Sequence, residues 1–516
     1  MSNMKDELTP ATLLVTISIV IVFTLLRYKL RLSSTSPPLP PGPRSLPIVG
    51  YLPFLKDDLP LQFTNMARIY GPIFKFFVGN KLHVVISAPE LVKEVVRDND
   101  DIFANRYLTV AASVVSYGGQ DIAFSNNSSN WRKLRKIFVQ ELLSNKNLEA
   151  CSSFPVDEVR KTIKNVYSKC GTKIDIRNIT FLTAANIIRR MVWENSLDEG
   201  ADLGDELQVV CLKVAENLGK PNLSDFFPFL AWLDLQGVER ALKREIMKLD
   251  RIFEKIIEDR IKSNSKMLDD GFGDAKKKDF LHILLQLKDK NDATSLNITQ
   301  IKSLLSNIMI GGPDASATLI EWAMAEIIKN CKVMKKIQEE LAEIVGVNNI
   351  VEESHLVKLQ HLDATIKETL RLHSVSPLLI PRVPSQDCKV GGYTIPKGSI
   401  VFLNAWSIHR DPRYWDNPLE FNPNRFLVHE GTNKCDYIGN NLKFIPFGSG
   451  RRVCPGIPLA DKMQMFILAS ILHSFDWNLP EGEEHDLSEK FAISMKKSKR
   501  LLAIPSQRLH DVSLYA

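Results

Sequence analysis

Hydrophobic positions recur every three to four residues through most of this 516-residue chain. That spacing puts apolar side chains on one face of an α-helix, so it predicts helices rather than strands. The clearest helical segments are predicted at 131–144, 156–168, 238–264, 299–329, 358–373 and 457–473. Runs of β-branched and aromatic residues predict strands at 72–79, 82–87 and around 389–403. The predicted fold class is therefore mainly α with a minor β region.

The first 35 residues have a different pattern. Residues 9–26 carry no charge, and Arg27, Lys29 and Arg31 follow them. A helix of that length spans roughly 27 Å, close to the thickness of a bilayer core. A cleaved signal peptide would have its basic residues before the apolar run, not after it. The order predicts a single-pass membrane anchor over 1–35, with the rest of the chain in the cytosol.

A proline-rich stretch follows this anchor. Residues 36–44 contain five prolines and predict a stiff, extended hinge. No repeat and no second linker divides the remainder, so residues 45–516 are predicted to form one globular catalytic domain.

Charge and cysteine content narrow the function only slightly. A net charge of +6 is too small to predict a nucleic-acid partner, and it suits a membrane surface or an acidic protein. The seven cysteines are odd in number and lack zinc-site spacing. These features favour a reducing compartment, in which one cysteine has a special role.

That cysteine is predicted to be Cys454. The segment 444–456 reads FIPFGSGRRVCPG, with Gly448 on one side of the cysteine and Gly456 on the other. Glycine has no Cβ, so such a loop can bring backbone amides close to a sulfur. A helical pattern begins just after Cys454, and its N-terminal dipole favours the charged form of the sulfur. Arg452 lies two residues away, where it can pair with a carboxylate of a cofactor.

The loop resembles the haem-binding signature of the cytochrome P-450 family. The matching pattern is Phe447-x-x-Gly450-x-Arg452-x-Cys454-x-Gly456. The resemblance extends over about residues 36–508, and it implies the P-450 fold, a single haem-binding globular domain behind a transmembrane helix.

Four further motifs carry the same resemblance. Glu368 and Arg371 match the family's ExxR pair, and Arg425 matches the third member of that salt-bridged group. The other matches are Trp131 with Arg135 on one helix, and Arg382 on a strand. By resemblance these last three contact the haem propionates, and all six residues, with Phe447, Gly448, Arg452 and Gly456, are predicted to bind the cofactor.

The resemblance implies a haem-thiolate monooxygenase that contains haem b, with Cys454 as the axial iron ligand. Its expected partners are O2, NADPH-cytochrome P-450 reductase and a lipophilic small molecule, and its expected location is the endoplasmic reticulum membrane. The chain looks most like plant microsomal members, closest in appearance to the group that contains a delta-cadinene hydroxylase. A sesquiterpenoid or other terpenoid is the first substrate hypothesis, and a flavonoid or an alkaloid stays open.

The oxygen-activation motif departs from the family pattern. Where members usually have Ala/Gly-Gly-x-Asp-Thr, this chain has Gly311-Gly312-Pro313-Asp314-Ala315. Gly312 is predicted to form the oxygen groove and Asp314 to be the retained acid, whereas Ala315 lacks the usual hydroxyl. Proline has no N–H and clashes with the carbonyl four residues back, so Pro313 predicts a kink.

Three interpretations of this departure stay open. In the first, water or a substrate hydroxyl replaces the missing group and the enzyme still hydroxylates. In the second, the reaction is oxidative coupling, ring formation, dehydration or desaturation. In the third, the protein binds haem without being an enzyme.

Two surfaces are also predicted. By resemblance, the substrate pocket is lined by residues 108–117, 209–218, 304–315 and 375–380, with Leu304, Ile308 and Ala315 facing the haem. A basic surface near Cys454 suits an acidic reductase domain. Its predicted members are Lys133, Lys136, Lys434, Lys443 and Arg451.

Overall fold

Helices account for most of the fold. The computed structural model describes residues 15–16, 18–19, 37–193, 201–269, 279–290, 292, 294–427, 437, 439 and 441–516. The helices of nine or more residues are Leu59–Tyr70, Ser129–Ile137, Ser153–Tyr167, Ile176–Trp193, Ala201–Leu218, Val238–Asp269, Phe280–Lys288, Ile298–Gly311, Pro313–Lys329, Cys331–Ile344, Gln360–Leu372 and Ile457–Ser474. The shorter ones are Pro89–Lys93, Val110–Val115, Asn145–Ala150, Leu223–Phe226, Glu353–Leu356 and Ala405–His409.

The helix Pro313–Lys329 lies at the centre of the molecule. Every residue from Ser316 to Ile328 is buried, because this stretch is apolar on nearly all sides. Its most extensive packing is against Ile176–Trp193, which is itself largely buried. Together the two helices form part of the largest hydrophobic core.

The β structure is minor, as predicted. The strands are β1 Ile73–Val78, β2 Lys81–Ile86, β3 Asn105–Arg106, β4 Ile174–Asp175, β5 Arg382–Val383, β6 Cys388–Val390, β7 Tyr393–Ile395, β8 Ile400–Leu403, β9 Phe475–Asn478, β10 Glu489–Phe491, β11 Met495–Lys497 and β12 Leu502–Gln507. The largest sheet has the order β1-β2-β8-β5-β3, with β2 and β8 parallel. A second sheet has the order β4-β12-β9, and β6-β7 and β10-β11 are separate pairs.

Two of the predicted helices are interrupted. The segment predicted at 299–329 is divided at Gly312, since Pro313 has no N–H with which to continue the hydrogen-bond ladder. This break confirms the predicted kink, and we call the two halves the broken helix. The segment predicted at 131–144 is helical over Ser129–Ile137 and then widens into a π-helical turn over Phe138–Leu142.

The proline-rich segment lies against the globular body. The carbonyls of Pro37 and Pro38 accept hydrogen bonds from Thr394, and the Pro41 carbonyl accepts one from the Lys75 amide. A Cβ on Gly42 would come within 1.9 Å of the Lys75 carbonyl oxygen, so the approach requires glycine. The described part of the predicted hinge is thus packed rather than free.

The predicted membrane span, residues 9–26, lies almost wholly outside the described residues. Among the helices that are described, none combines the length and the apolar character needed to cross a bilayer.

Candidate active site

A largely apolar cavity of about 380 Å³ separates the broken helix from the segment Phe444–Gly456, which we call the cysteine loop. Its lining includes the thiol of Cys454, four arginines and the junction of the broken helix. The chemistry of the site follows from these three features.

The cysteine loop turns sharply to present Cys454 to the cavity. The Cys454 amide donates to the Phe447 carbonyl at 3.0 Å, and the Gly448 amide donates to the Ile445 carbonyl at 3.0 Å. Gly450 has a φ of +69°, and a Cβ there would lie 2.4 Å from the Val96 carbonyl oxygen. A glycine is therefore required at this turn. Phe447, Gly448 and Gly456 line the cavity beside the thiol.

The Cys454 thiol is accessible only because it faces the cavity, since protein surrounds it. Burial raises the pKa of this thiol. The Gly456 amide and the Arg135 guanidinium act in the opposite direction and lower the pKa. These two groups favour the thiolate, which is the form that ligates a metal.

Four guanidinium groups line one side of the cavity: Arg106, Arg135, Arg382 and Arg452. Among the described residues only Arg382 has a carboxylate partner within this group, because its Nη1 lies 2.9 Å from Asp100. The other three donate to backbone carbonyls, such as that of Ala104 at 2.6 Å from Arg452 Nε.

This cluster holds more positive charge than its neighbours neutralise. Burial and the nearby Arg382 and Arg135 lower the pKa of Arg452 to about 9, and burial together with the other three arginines lowers the pKa of Arg106. An anionic group in the cavity would relieve this repulsion. A thiol facing a largely apolar space, with excess guanidinium charge at one edge, fits a haem whose two carboxylates lie at that edge.

Sequence reasoning missed Arg106. This residue lies on β3, which pairs with the β5 strand of Arg382 in the register Arg106↔Arg382. Neighbouring strands place the two guanidiniums together. The only sequence signal was an arginine at the end of an apolar run, which is too common to interpret without the strand register.

Trp131 lies behind the arginines and does not line the cavity. Its indole N–H donates to the Ile122 carbonyl at 3.0 Å, and the Arg452 guanidinium stacks on its ring at 4.0 Å. The predicted contact of Trp131 with the cofactor stays a prediction. Trp131 holds Arg452 and, at 5.6 Å, Arg135 in place.

The predicted group of Glu368, Arg371 and Arg425 forms, but it too lies away from the cavity. The Arg371–Glu368 pair is bidentate at 2.7 and 2.8 Å and fully buried, and Arg425 Nε lies 3.3 Å from Glu368. Arg371 also donates to the carbonyls of His409 and Pro418, each at 2.7 Å. These residues support the chain that leads to the cysteine loop, and their prediction as cofactor-binding residues stays a prediction.

His409 joins that support to the loop. Its Nε2 accepts a hydrogen bond from the Ile445 amide at 3.0 Å, and its Nδ1 lies 2.8 Å from Ser374 Oγ. Burial, with Arg371 and Arg410 nearby, lowers the pKa of His409 to about 3. The ring is therefore neutral: Nδ1 carries the proton, and the unprotonated Nε2 accepts the hydrogen bond from the Ile445 amide of the cysteine loop.

The junction of the broken helix forms the opposite wall. Gly311, Gly312, Ala315 and Ser316 all line the cavity. A Cβ on Gly311 would meet nothing within 4 Å, whereas one on Gly312 would lie 2.5 Å from Ile188 Cδ1. The opening into the cavity is thus at Gly311, and Gly312 permits close packing of the neighbouring helix.

The predicted acid, Asp314, points away from the cavity. It is paired with Arg177 and, at 2.9 Å, with Lys496, and Ser494 Oγ lies 3.4 Å from it. Asp314 is not among the residues that line the cavity. Ser316, about 100° around the helix from Ala315, is also on the cavity wall.

The remaining pocket predictions are confirmed in part. Ile308, Val375, Leu379 and Ile380 line the cavity, whereas Leu304 is packed in the core. In the described structure the segments 108–117 and 209–218 supply none of the lining; Ile122, Ala123 and Ile188 do so instead.

Comparison with known proteins gives a consistent result. Residues 40–504 match the family described as Cytochrome P450. Cytochrome P450 76C1 of Arabidopsis thaliana is 35% identical over 96% of this chain and 97% of its own length. A flavonoid 3'-monooxygenase of Crocosmia x crocosmiiflora is 36% identical over 96% of each chain, and a carnosic acid synthase of Rosmarinus officinalis is 36% identical over 90% of this chain and 93% of its own.

A solved structure has the same fold. A zebra fish cytochrome P450 with progesterone superposes with a TM-score of 0.73 at 26% identity, covering 87% of this chain and 99% of the other. This chain belongs to the cytochrome P450 family, whose members are monooxygenases that hold haem b through a cysteine thiolate.

Proposed function

We propose that this enzyme hydroxylates a lipophilic plant specialised metabolite, with a terpenoid as the first hypothesis, using O2 and electrons from NADPH-cytochrome P-450 reductase. The observation that carries this proposal is the cavity itself. A thiol and four guanidiniums occupy one side of it, and mainly apolar residues of the broken helix and the segment 375–380 occupy the other. A cavity of this composition favours an apolar ligand with few polar groups.

When it is bound, the haem supplies oxygen activation and the oxidising power for insertion. Cys454 would ligate its iron, and Arg106, Arg135, Arg382 and Arg452 would bind its carboxylates. The apolar side chains of the wall, among them Ile308, Leu379 and Ile380, would exclude water and orient the substrate by their shape.

The relatives leave the substrate open. The flavonoid 3'-monooxygenase and the carnosic acid synthase are named for different activities but have the same 36% identity to this chain. Identity at this level therefore supports neither a flavonoid nor a terpenoid above the other, and the terpenoid hypothesis rests on the sequence resemblance.

A second function is favoured by one observation. Ala315 has no hydroxyl, and the Asp314 carboxylate forms ion pairs with Arg177 and Lys496 instead of pointing into the cavity. A wall with so few proton donors also suits oxidative coupling, ring formation, dehydration or desaturation, in which no oxygen is retained in the product.

Product mass separates these possibilities. The full-length enzyme, reductase and NADPH are incubated with a panel of sesquiterpenes, flavonoids and phenolic alkaloids, with the Cys454→Ser chain as the control. A gain of one oxygen supports hydroxylation, and a loss of two hydrogens supports coupling or desaturation. Haem-loaded protein that yields no product from the panel would contradict the proposal and favour a haem binder.

We further propose that residues 1–35 anchor the protein in the endoplasmic reticulum membrane, that 36–44 connect the anchor, and that 45–516 form the cytosolic catalytic domain. Exposed apolar side chains support a membrane-facing surface. Phe229 and Trp232 are 69% and 81% exposed, and Ile48 is 62% exposed. The two sets are neighbours, because the Gly79 amide donates to the Val49 carbonyl and a Cβ on Gly79 would meet the Phe226 carbonyl.

Fractionation tests this membrane proposal in two steps. Deletion of 1–35 should release most of the protein from microsomes while the haem spectrum persists. In the deleted chain, Phe229→Ser with Trp232→Ser should remove residual binding to lipid vesicles, whereas Val357→Ser, at a similarly exposed position, should not. Full retention of the deleted double variant would contradict the proposal.

The reductase would bind the basic surface beside the cysteine loop. Lys136, Lys443 and Arg451 are exposed there, and Lys133 is half-buried. The helix that carries Lys136 is tied to the loop by the hydrogen bond from Arg135 to the Val453 carbonyl, at 2.5 Å. The fifth predicted member, Lys434, lies outside the described residues. Slower reduction by the reductase in Lys136→Glu, with unchanged reduction by dithionite, would support this surface.

A further inference from the structure

One polar side chain on the cavity wall formed by the broken helix is held in a fixed orientation. Asn307 lies on the first half of the broken helix, one turn before Gly311, and lines the cavity. Its Oδ1 accepts a hydrogen bond from the Ile122 amide at 3.0 Å, and its Nδ2 donates to Asp121 Oδ2 at 3.3 Å. The network leaves no choice of amide orientation, because an amide N–H must face an oxygen and an ionised carboxylate can only accept.

Asp121 is itself firmly placed. It is fully buried, and its Oδ1 accepts hydrogen bonds from the amides of Phe124 and Ser125, each at 2.9 Å. Burial raises its pKa, while these hydrogen bonds and the one from Asn307 lower it. The carboxylate therefore acts as a positioning group for the Asn307 amide.

This arrangement leaves one N–H of Asn307 unused. One N–H of Nδ2 donates a hydrogen bond to Asp121. The second N–H has no acceptor among the residues that the structure describes. Asn307 is partly exposed on the cavity wall, and its neighbours there, Ile122 and Ile308, are apolar. An oriented donor on an otherwise apolar wall discriminates strongly in favour of a ligand oxygen, because a ligand without one leaves the donor unpaired.

We propose that Asn307 is a specificity-determining residue that donates a hydrogen bond to an oxygen of the substrate, so that the substrate is a lipophilic molecule that already carries a hydroxyl, carbonyl or carboxylate group. This inference rests on the proposed function of the cavity and narrows it: a fully hydrocarbon substrate is disfavoured.

Three other uncharged polar side chains line the cavity, and none is as constrained. They are Ser316, Ser376 and Gln464, and no side-chain hydrogen bond fixes any of them within the described structure. A hydroxyl that rotates freely adapts to donors and acceptors alike, so it selects less than the oriented amide of Asn307.

The test compares ligand pairs that differ by one oxygen. Farnesol and the corresponding hydrocarbon, 2,6,10-trimethyldodeca-2,6,10-triene, are titrated into the haem-loaded full-length protein, with flavanone and flavan as a second pair that differs only at the carbonyl. Dissociation constants come from the shift of the Soret band. Wild type should bind the oxygenated member of at least one pair about three- to tenfold more tightly than its partner.

Asn307→Leu should abolish that preference while the hydrocarbon binds as before or better. Asn307→Asp is the second variant, in case the leucine prevents folding: the carboxyl keeps an acceptor for Ile122, shares a proton with Asp121, and presents no donor to the cavity. Ser303→Ala is the matched control, one turn earlier on the same helix, fully buried, and with no partner for its hydroxyl in the described structure.

The outcomes separate this inference from the proposed function. Equal preference in wild type and in both Asn307 variants, or no preference in wild type for either pair, would overturn the role of Asn307 and leave the apolar cavity as a binding site. Failure of all four ligands to shift the Soret band would contradict the lipophilic pocket itself, and the inference with it.

Discussion

The two sides of the cavity are built differently. Behind the cysteine loop, away from the cavity itself, one buried pair is local, because Arg371 and Glu368 are three residues apart on one helix. At the opposite wall the contacts that fix side chains join distant parts of the chain: Asn307, on the cavity surface, is 186 residues from Asp121, and Asp314, which points away from the cavity, is 182 from Lys496. The first side fixes where the cofactor lies, and the second decides what reacts there.

This difference predicts different responses to mutation. Changes on the cysteine side should remove the cofactor or the fold, because the charges there are fully buried. Changes on the opposite wall should leave the protein folded and alter its selectivity or its coupling, because the groups there face the cavity.

The largest effect is expected at Glu368 or Arg371. Glu368→Ala leaves the buried Arg371 without its carboxylate, and Arg371→Ala leaves the buried Glu368 with only the longer contact to Arg425, at 3.3 Å. Each change should cost about 3–5 kcal/mol, so haem should not be retained. Haem content and thermal stability measure this loss. The control is Glu353→Ala, whose exposed pair with Lys462, at 2.6 Å, contributes about 1 kcal/mol or less. A soluble, haem-loaded Arg371→Ala protein of normal stability would contradict the account.

Sequence reasoning succeeded where the determinants were local. The glycines and Arg452 lie within the same short loop as Cys454, and the helical spacing of Glu368 and Arg371 determines that they meet. It failed where contact required tertiary packing. Neither the burial of Leu304 nor the position of Ser316 on the wall follows from spacing alone, since the break at Pro313 changes which face of the helix is presented.

The same limit applies to charge. The sequence showed that Asp314 is at the motif position where the family has its acid. It did not show that the Asp314 carboxylate forms ion pairs with Arg177 and Lys496. It likewise could not show that the residues 37–44 pack on the sheet, because composition alone predicts only a stiff segment.

A smaller, pH-dependent effect is expected at His409. Its folded pKa of about 3 is below the ordinary value of 6.5, so between these values the unfolded chain binds a proton that the folded protein does not. The stability from neutral His409 is therefore complete above pH 6.5, and it falls by about 1.4 kcal/mol per pH unit as the pH drops toward 3. This loss of stability is measured as haem release, which is monitored by Soret absorbance between pH 7.5 and 5.

His409→Gln should flatten that pH profile, although the protein is less stable at pH 7.5. Some acid sensitivity should persist, because burial also lowers the pKa of His83, to about 4. His485→Gln, at an exposed position, should leave the profile unchanged. An identical slope in wild type and His409→Gln would show that this ring does not control retention of the cofactor.

The smallest effect on stability is expected on the opposite wall. Ala315 lines the cavity, so Ala315→Thr adds a hydroxyl there without disturbing the core. A positioned donor contributes about 10²–10⁴-fold to proton transfer, so the variant should release less peroxide per NADPH consumed. Ser316→Ala should do the reverse if Ser316 already serves as a donor. NADPH, peroxide and product are measured in one assay.

If both variants match wild type in peroxide and in product, these positions have no part in proton delivery. If Ala315→Thr instead diverts the product toward an oxygenated species, the native reaction is one that retains no oxygen.

The most direct test of the account is the identity of the iron ligand. Cys454→Ser removes the thiolate but keeps the size of the side chain and the geometry of the loop, so the fold and the arginine cluster should persist. We expect the ferrous carbon monoxide complex of the wild type to show a strongly red-shifted Soret band, and the variant to lose it. A Cys454→Ser protein that retains that band would show that another residue ligates the iron.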